Sequence, residues 1–165
     1  MFKLDCEEKM KNKLLSTIVL TTIIQAAPSF SGGIGEVKHI PGIFIGATTT
    51  DGETHSSYGL EYEYKFSERL GGGFLYEKTE DAHHGDGVEI KLAALYLHPW
   101  KGLKLGVGAG KEDIGGHHPH SEDLFRASIS YDFHIGDFGI APTLALDLVD
   151  DKTSTVLGIA IVRPF

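Results

Sequence analysis

Apolar and polar residues alternate with a period of two along most of the chain from residue 42 onward. The segment 56–66 shows the pattern most clearly, because its apolar positions are aromatic or aliphatic and the positions between them are charged or glycine. The two sets are Tyr58, Leu60, Tyr62, Tyr64 and Phe66 against Gly59, Glu61, Glu63 and Lys65. Such alternation is typical of β-strands whose two faces meet different surroundings. It predicts eight strands, which span 42–50, 56–66, 69–79, 87–97, 101–112, 122–133, 137–148 and 153–164.

The lengths of the predicted strands and of their connections favour a barrel that crosses a membrane. Most strands have about 9–12 residues, the length that a tilted strand needs to cross a bilayer. Tight connections are predicted at 67–68, 98–100 and 134–136. The others are mostly longer and rich in Asp, Glu, Gly and His, and they lie at 51–55, 80–86, 113–121 and 149–152. Short periplasmic turns and longer outer loops are typical of outer-membrane barrels. An even strand number places both termini on one side, which we expect to be the periplasm.

A soluble barrel of the lipocalin type would show the same alternation with its apolar face inward. Two features argue against it. The polar face contains glycines, which weaken an exposed strand but fit a narrow lumen: Gly71, Gly73, Gly106, Gly108, Gly110 and Gly158. The aromatic residues gather near the predicted strand ends as two girdles, one with Tyr64, Phe66, Tyr96, Trp100, Phe133, Phe138 and Phe165 and the other with Tyr58, Tyr76 and Phe125. The predicted fold class is therefore all-β, an eight-stranded antiparallel up-and-down transmembrane β-barrel.

Residues 1–31 have the organisation of a secretory signal peptide. A basic stretch begins at Met10, an apolar run covers 14–27, and small residues follow it. We place the cleavage after Ser31, with Ser29 and Ser31 as the small pair. The acidic residues before Met10 are unusual in such a segment, and Met10 is an alternative start. The predicted organisation is a signal peptide at 1–31 and one barrel domain at 32–165, exported to the outer membrane of a Gram-negative cell.

The composition narrows the classes of partner. The chain has 15 basic and 23 acidic residues, and removing residues 1–31 takes four lysines and three acids, which leaves 11 and 20 and a net charge of −9. This acidic balance argues against a nucleic-acid partner. Cys6 is the only cysteine and lies in the signal segment, so the exported domain is predicted to have no disulfide.

Charged residues on the predicted inner face form a candidate ionic network inside the barrel. They are nearly balanced in sign and comprise Glu61, Glu63, Lys65, Arg69, Glu77, Glu89, Lys91, Lys104, Arg126, Asp132 and Asp147. An eight-stranded barrel has room inside only for side chains. Because unpaired buried charges are costly, these groups are expected to pair. The main hypothesis is a structural plug that keeps the barrel closed, and a gated, porin-like conductance is the alternative.

Histidines are concentrated in two predicted outer loops that also contain carboxylates. They are His83, His84, His117, His118 and His120. Neutral imidazole beside carboxylate suits Zn²⁺, Cu²⁺ or Ni²⁺, although the spacing matches no defined zinc motif. Two interpretations stay open, namely solvated polar loops with no cofactor and a surface site for Zn, Cu or Ni. At the other end of the barrel, His39, His98 and His134 are expected to pack at the membrane interface.

Several segments together carry a family resemblance, and they are 59–64, 66–72, 98–105, 124–126 and 140–142. Through them the chain resembles the small eight-stranded outer-membrane barrels of the OmpA type over about residues 39–165. The segment 157–165 is similar to the final strand of such barrels, in which a terminal aromatic residue, here Phe165, is the assembly signal. Arg163 departs from that pattern, which usually has an aromatic or aliphatic residue there. The resemblance implies fold and outer-membrane location and no particular activity.

A lipid A-modifying enzyme is the less favoured alternative. Some eight-stranded outer-membrane barrels hydrolyse or transfer the acyl chains of lipid A, which needs a serine and a histidine oriented by an acid. The candidates here are Ser56, Ser57, Ser121, His55, His120 and Glu122. His55 and Ser56 are adjacent, so they point to opposite faces of an extended strand. The expected function is a non-conducting, monomeric barrel with a structural or surface-interaction role. Its expected partners are outer-membrane lipid, lipopolysaccharide and the barrel-assembly machinery.

Overall fold

The computed structural model describes residues 39–80, 82, 87–116 and 119–165, so the predicted signal peptide lies outside the described residues. The described part contains nine β-segments. They are β1 (His39–Thr50), β2 (Glu53–Lys65), β3 (Leu70–Thr79), β4 (Val88–Leu97), β5 (Leu103–Ile114), β6 (His120–Tyr131), β7 (Phe133–Ile135), β8 (Phe138–Val149) and β9 (Lys152–Val162). Only Asp132 separates β6 from β7, and both pair with β8. The two segments therefore act as one strand of an eight-stranded wall.

The wall closes on itself. Every pairing is antiparallel between sequence neighbours, except that β1 also pairs with β9, from Gly42 opposite Val162 to Thr50 opposite Ser154. The pairing of β1 with β9 leaves no free sheet edge, and a β-sheet is stable in lipid only when it has none. The predicted all-β, eight-stranded antiparallel barrel is confirmed. We call the end at which β1 begins and β9 ends the terminal end, and the opposite end the loop end.

The two faces of the wall have different compositions, as the alternation predicted. The outer face has large apolar side chains that are mostly exposed, such as Ile45 at 61%, Phe74 at 69% and Leu157 at 64%. The inner face contains the glycines, and added side chains there would collide with groups in the lumen. A methyl group on Gly71 would strike the carboxylate of Glu63, and one on Gly106 would strike the hydroxyl of Ser128. The apolar-out orientation fits a lipid surround rather than water.

Apolar side chains line the interior on two opposite sides. One cluster lies mainly on β4, β5 and β6, and consists of Val88, Ile90, Leu92, Ala94, Tyr96, Ile114, Leu124 and Val149. The other lies on β1, β8 and β9, and consists of Ile40, Phe44, Ala141, Ala145, Val156, Ala160 and Val162. Tyr96 belongs to the first cluster and is only 7% exposed, so its assignment to an outer aromatic girdle was wrong. No helix among the described residues is long and apolar enough to span a bilayer.

Three of the four connections at the loop end are shorter than predicted, whereas the connection between β3 and β4, residues 80–87, is not. The expected loop 51–55 is a two-residue turn of Asp51 and Gly52, and 149–152 reduces to Asp150 and Asp151. Asp51, Gly52 and Asp150 have φ values of 53°, 86° and 49°, the left-handed conformation that tight hairpins require and that Gly and Asp tolerate. The polar residues that suggested longer loops continue the strand ladders instead, for example Thr49 opposite Thr54. Two of the four loop-end connections are therefore as short as the tightest turn at the terminal end, so loop length alone does not distinguish the two ends.

Candidate functional site

The loop-end half of the lumen is bridged by one buried arginine. The guanidinium of Arg126, on β6, donates to both carboxylate oxygens of Asp147 on neighbouring β8, at 2.6 Å each. Its Nη1 donates at 2.6 Å to Glu77 on β3, across the barrel. Arg126 is 8% exposed and both acids are 1% exposed. A bidentate pair with a second carboxylate satisfies a buried guanidinium well, so this cluster is a cross-brace between distant strands.

Hydroxyl groups complete the surroundings of this arginine cluster. Thr48 Oγ1 donates to the second oxygen of Glu77 at 3.4 Å and lies 2.6 Å from Ser57 Oγ. Ser57 in turn lies 3.0 Å from Thr79 Oγ1. This chain of hydroxyls links β1, β2 and β3 to the acid that Arg126 holds. Buried polar networks are stabilising only when their members are satisfied, and here each named group has a partner.

The terminal-end half of the lumen is bridged by a buried lysine. Lys104 Nζ, on β5, lies 3.4 Å from Glu61 and 3.7 Å from Glu63, which are both on β2 across the barrel. Its ammonium also lies 4.9 Å from the centre of the Tyr96 ring. Glu63 additionally accepts a hydrogen bond of 2.6 Å from the ring nitrogen Nε2 of His98. The lysine side chain is 15% exposed and that of Glu63 is 4% exposed.

Between the two ionic clusters very little open space is left. A cavity of about 30 Å³ lies there, bordered by Phe44, Tyr96, Lys104, Arg126 and Val156. That is room for about two water molecules. Wider vestibules open at the two ends, about 230 Å³ at the loop end and about 730 Å³ at the terminal end. The lumen is thus constricted at its centre, where charged side chains meet across it.

The structure places most, but not all, of the predicted network inside. Glu61, Glu63, Lys104, Glu77, Arg126 and Asp147 form the two bridging clusters. Lys65, Arg69 and Asp132 instead line the terminal-end vestibule. The prediction was wrong for Glu89 and Lys91, which point outward. There Lys91 pairs with Asp113 at 2.9 Å and with Glu89 at 3.7 Å. On β4 the residues that face inward are apolar, including Val88 and Ile90.

Two buried groups of the lumen were missed from the sequence. Glu112 faces inward in the loop-end vestibule and is 8% exposed. His98 was expected to pack at the interface, yet its side chain is 13% exposed and bonded to Glu63. His98 directly follows β4, and outside a strand the alternation of polar and apolar residues does not indicate which way a side chain points. Glu112 lies between charged Lys111 and Asp113, so the alternation that marks an inner position is absent there.

The carboxyl of Glu112 titrates unusually. Its outward neighbours Lys111 and Asp113 are charged, so this stretch of β5 lies beyond the apolar belt. Burial raises the pKa of Glu112 from 4.5 to about 7, and the charges of Asp147 and Glu122 add to the rise. Near neutral pH this carboxyl is therefore partly protonated, in a vestibule that also contains Asp51 and Glu53.

We expect Glu112→Gln to stabilise the barrel above pH 7 and to leave it unchanged near pH 4.5. The folded-state pKa, about 7, exceeds the ordinary value of 4.5, so the unfolded chain releases its proton first and stability falls as pH rises between the two values. The gain at pH 8 should be about 1–2 kcal/mol, less than the full 1.36 kcal/mol per pKa unit because the vestibule is open to solvent. Urea unfolding in detergent micelles at several pH values measures it. The exposed Glu53→Gln is the matched control, and an equal response in both variants would contradict the assignment.

The histidine cluster predicted to bind metal lies mostly outside the described residues. His83, His84, His117 and His118 are among the positions that the structure does not describe, and His120 lies 3.3 Å from Glu122 on β6. Within the described ranges no group of three or more His, Cys, Asp or Glu side chains is arranged to hold a metal ion. The metal site therefore stays a prediction.

The serines considered for catalysis have other partners or positions. Ser57 faces the lumen and is bonded to Thr48 and Thr79. Ser121 donates at 2.7 Å to Asp113 on the outer face. His55 faces the loop-end vestibule, where its ring lies 3.7 Å from Glu53. Neither hydroxyl is held by a histidine in the way that acyl transfer requires.

Comparison with known proteins gives the class of the fold. No family model and no curated protein matches the chain. Among solved structures, it is similar to the N-terminal β-barrel domain of Pseudomonas aeruginosa OprF, with a TM-score of 0.55 and 15% identity over 79% of this chain and 100% of that one. It is also similar to Neisserial surface protein A (NspA), with a TM-score of 0.55 and 9% identity over 81% and 100%. The Yersinia pestis outer membrane protein Ail in a phospholipid bilayer nanodisc gives 0.51 and 14% over 76% and 99%.

These likenesses establish the architecture. The chain has the fold of the small eight-stranded outer-membrane barrels, as its sequence resemblance to the OmpA type predicted. It spans nearly the whole of each matched chain. At identities of 9–15% the common feature is the barrel itself and not a ligand or an activity.

Proposed function

We propose that this protein is a small, non-conducting outer-membrane β-barrel with a structural or surface-interaction role. The single observation that supports it best is the pair of cross-lumen braces, Arg126 to Glu77 and Lys104 to Glu61 and Glu63. Each brace joins strands on different sides of the barrel, and only about 30 Å³ of space separates them. Moving hydrated ions past them requires breaking buried ion pairs, which is costly. In this proposal both termini are periplasmic and the loop end faces outward.

The outer surface of the wall supports the membrane location. Its exposed apolar residues form a belt around the barrel, and aromatic side chains gather at the terminal end, where Tyr64 and Phe66 lie edge to face with ring centres 5.5 Å apart. Such a belt with aromatic residues at its edge is typical of a membrane barrel. Fractionation tests it: the protein should be recovered with the outer membrane and should migrate heat-modifiably on gels. Recovery in the soluble periplasm would overturn the proposal.

We expect planar-bilayer recordings of the purified barrel to show no stable open channel. The two braces close the lumen at its centre, and neither vestibule reaches through it. A reproducible, ion-selective conductance would contradict the closed lumen. The matched variant is Glu61→Gln, which removes one of two acids around Lys104 while Glu63 remains. It should stay closed as well, since the remaining pair still crosses the lumen.

Metal binding by the histidine-rich loops is the alternative that needs a separate test. Calorimetric titration of the intact barrel with Zn²⁺, Cu²⁺ or Ni²⁺ should give a site that weakens below about pH 6, where imidazoles protonate. Replacing His117, His118 and His120 by alanine should abolish it, whereas replacing His134 at the terminal end should not. A flat titration contradicts the metal site and leaves the barrel with its surface role. Lipid A with an unchanged number of acyl chains in expressing cells is the result expected if the barrel is not an enzyme.

A further inference from the structure

The vestibule at the terminal end is bordered by both signs of charge. It encloses about 730 Å³, a volume typical of a small-molecule site. Among the described residues, four lysine or arginine side chains and three carboxylates border it. When Glu61, which lies at its floor on Lys104, is included, the charges balance. The brace of Lys104 takes up Glu61 and Glu63, and the remaining charged groups are Lys65, Arg69, Lys101, Glu68 and Asp132. Such a cavity fits a zwitterion without net charge better than a simple anion.

Three cations of the vestibule have no ion-pair partner. No carboxylate of the described residues lies within 4.0 Å of the charged nitrogens of Lys65, Arg69 or Lys101. Every other described lysine and arginine has such a partner, except Arg163, whose guanidinium lies over the ring of Phe138 on the outer face. The unpaired cations therefore converge on this one cavity. An oxyanion can bind them there without displacing a carboxylate.

The same vestibule contains a carboxylate that is only half satisfied. Oδ1 of Asp132 is buried and accepts no hydrogen bond from any described residue. Oδ2 lies 3.5 Å from Nε2 of His134, and the side chain of Asp132 as a whole is 24% exposed. Because a buried oxygen without a donor is costly, it marks a place where a donor is missing. An ammonium group supplies three donors together with a compensating charge, and rotation of the carboxylate brings the oxygen to it.

Backbone hydrogen bonds hold these charged groups on neighbouring segments of the rim. The amide of His98 donates at 2.8 Å to the carbonyl of Arg69, which joins the turn after β2 to the turn after β4. The amide of Asp132 donates at 2.7 Å to the carbonyl of Gly102, the residue after Lys101. Segments paired in this way lie about 4.8 Å apart. Opposite charges that are held so near each other without forming an ion pair leave room for a ligand that bridges them.

We propose that the terminal-end vestibule binds a phosphoethanolamine group. Its phosphate is held by Lys65, Arg69 and Lys101, since a guanidinium fork and two ammonium groups suit an anion with several oxygens. Its ammonium, on a short ethyl linker, is held by Asp132. Two sources have this chemistry, namely a phospholipid headgroup of the inner leaflet and a soluble compound in the periplasm. The proposal goes beyond the closed barrel, and only the lipid source rests on the proposed function.

Titration of the purified barrel in a maltoside detergent, which has no phosphate, tests the site. The fluorescence of Trp100, which borders the vestibule and is 72% exposed, reports binding. Glycerophosphoethanolamine should bind at least about tenfold more tightly than glycerophosphoglycerol, which has the same phosphate and no ammonium. Arg69→Gln with Lys101→Gln should weaken binding of both compounds at least about tenfold. Asp132→Asn should bind the two compounds equally, because only the ammonium meets that carboxylate.

The controls are charged residues of the same end that do not border the vestibule. They are Arg163→Gln on the outer face and Asp137→Asn in the turn after β7. Both should bind glycerophosphoethanolamine as the wild type does, and heat-modifiable migration shows that each variant is folded. Equal affinity of the wild type for the two compounds overturns the proposal, because the site would then recognise only an anion. Absence of binding, or equal losses in the controls, overturns it as well.

Nanodiscs distinguish the two sources. In phosphatidylcholine nanodiscs glycerophosphoethanolamine should change the fluorescence of Trp100 as it does in detergent. If the lipid headgroup is the ligand, adding phosphatidylethanolamine to the nanodiscs occupies the site and abolishes the change. If the change persists, the ligand is the soluble compound. These measurements use the purified barrel, so a failure to bind leaves the proposed function standing, whereas recovery of the protein in the soluble periplasm overturns the proposed function and not the site.

Discussion

Replacing Arg126 by alanine is expected to lower the free energy of unfolding by about 3–5 kcal/mol, the usual cost of removing one partner of a buried ion pair. The guanidinium satisfies three carboxylate oxygens, on Asp147 and Glu77, whose side chains are 1% exposed. Without it, two acids remain close together in the barrel with no cation to compensate them. Urea unfolding in detergent micelles, followed by the fluorescence of the single tryptophan, Trp100, measures the change.

Two further variants test whether the loss of stability comes from the unpaired buried acids. Combining Arg126→Met with Glu77→Gln and Asp147→Asn removes all three charges, and should recover most of the lost stability because no unpaired charge is left. Lys111→Ala breaks an exposed ion pair with Asp123 and should cost no more than about 1 kcal/mol. If Arg126→Ala were as stable as the wild type but conducted ions, the arginine would be a gate rather than a brace.

The fold was predictable because a barrel wall obeys one rule over its whole membrane-spanning height. Lipid outside and a narrow lumen inside force apolar and polar residues to alternate, so Leu60 and Glu61 reveal their directions without a structure. The same rule identified Arg126 and Lys104 as inner charges. Their partners follow from the closed geometry, since an inner charge in an eight-stranded barrel has only other inner side chains to meet.

The rule fails where the wall leaves the bilayer. On β4 near the loop end the outer residues Glu89 and Lys91 meet water or headgroups, while the inner residues Val88 and Ile90 pack in the apolar cluster. On this part of β4 the polar residues therefore face outward and the apolar residues face the lumen, so the rule that polar residues face the lumen gives the wrong direction. The remaining misses lie at strand ends. Glu112 has charged neighbours on both sides along β5, so local alternation gives no signal there, and only its continuation of the inner set Gly106, Gly108 and Gly110 indicates that it points inward.

Replacing Phe165 by alanine is expected to reduce the amount of folded barrel in the outer membrane steeply, while leaving the folded barrel almost as stable as the wild type. Its backbone pairs with that of His39 through two hydrogen bonds, of 2.8 and 2.9 Å. Its ring stacks on His39 at 5.9 Å but is 71% exposed, so the native state gains little from it. If the variant is lost from the outer membrane although the native barrel gains little from the ring, the role of Phe165 lies in assembly, as the resemblance to other barrels implies.

The comparison that separates assembly from stability uses a second exposed phenylalanine. Phe74 is 69% exposed in the middle of the outer wall, so Phe74→Ala removes a similar ring away from the end of β9. Both variants, refolded in detergent, should unfold within about 1 kcal/mol of the wild type, as surface substitutions commonly do. In cells, only Phe165→Ala should lose the heat-modifiable outer-membrane band and leave degraded protein in the periplasm. Equal outer-membrane levels of the two variants would show that Phe165 is an ordinary wall residue, because the same aromatic group would then be dispensable at either position.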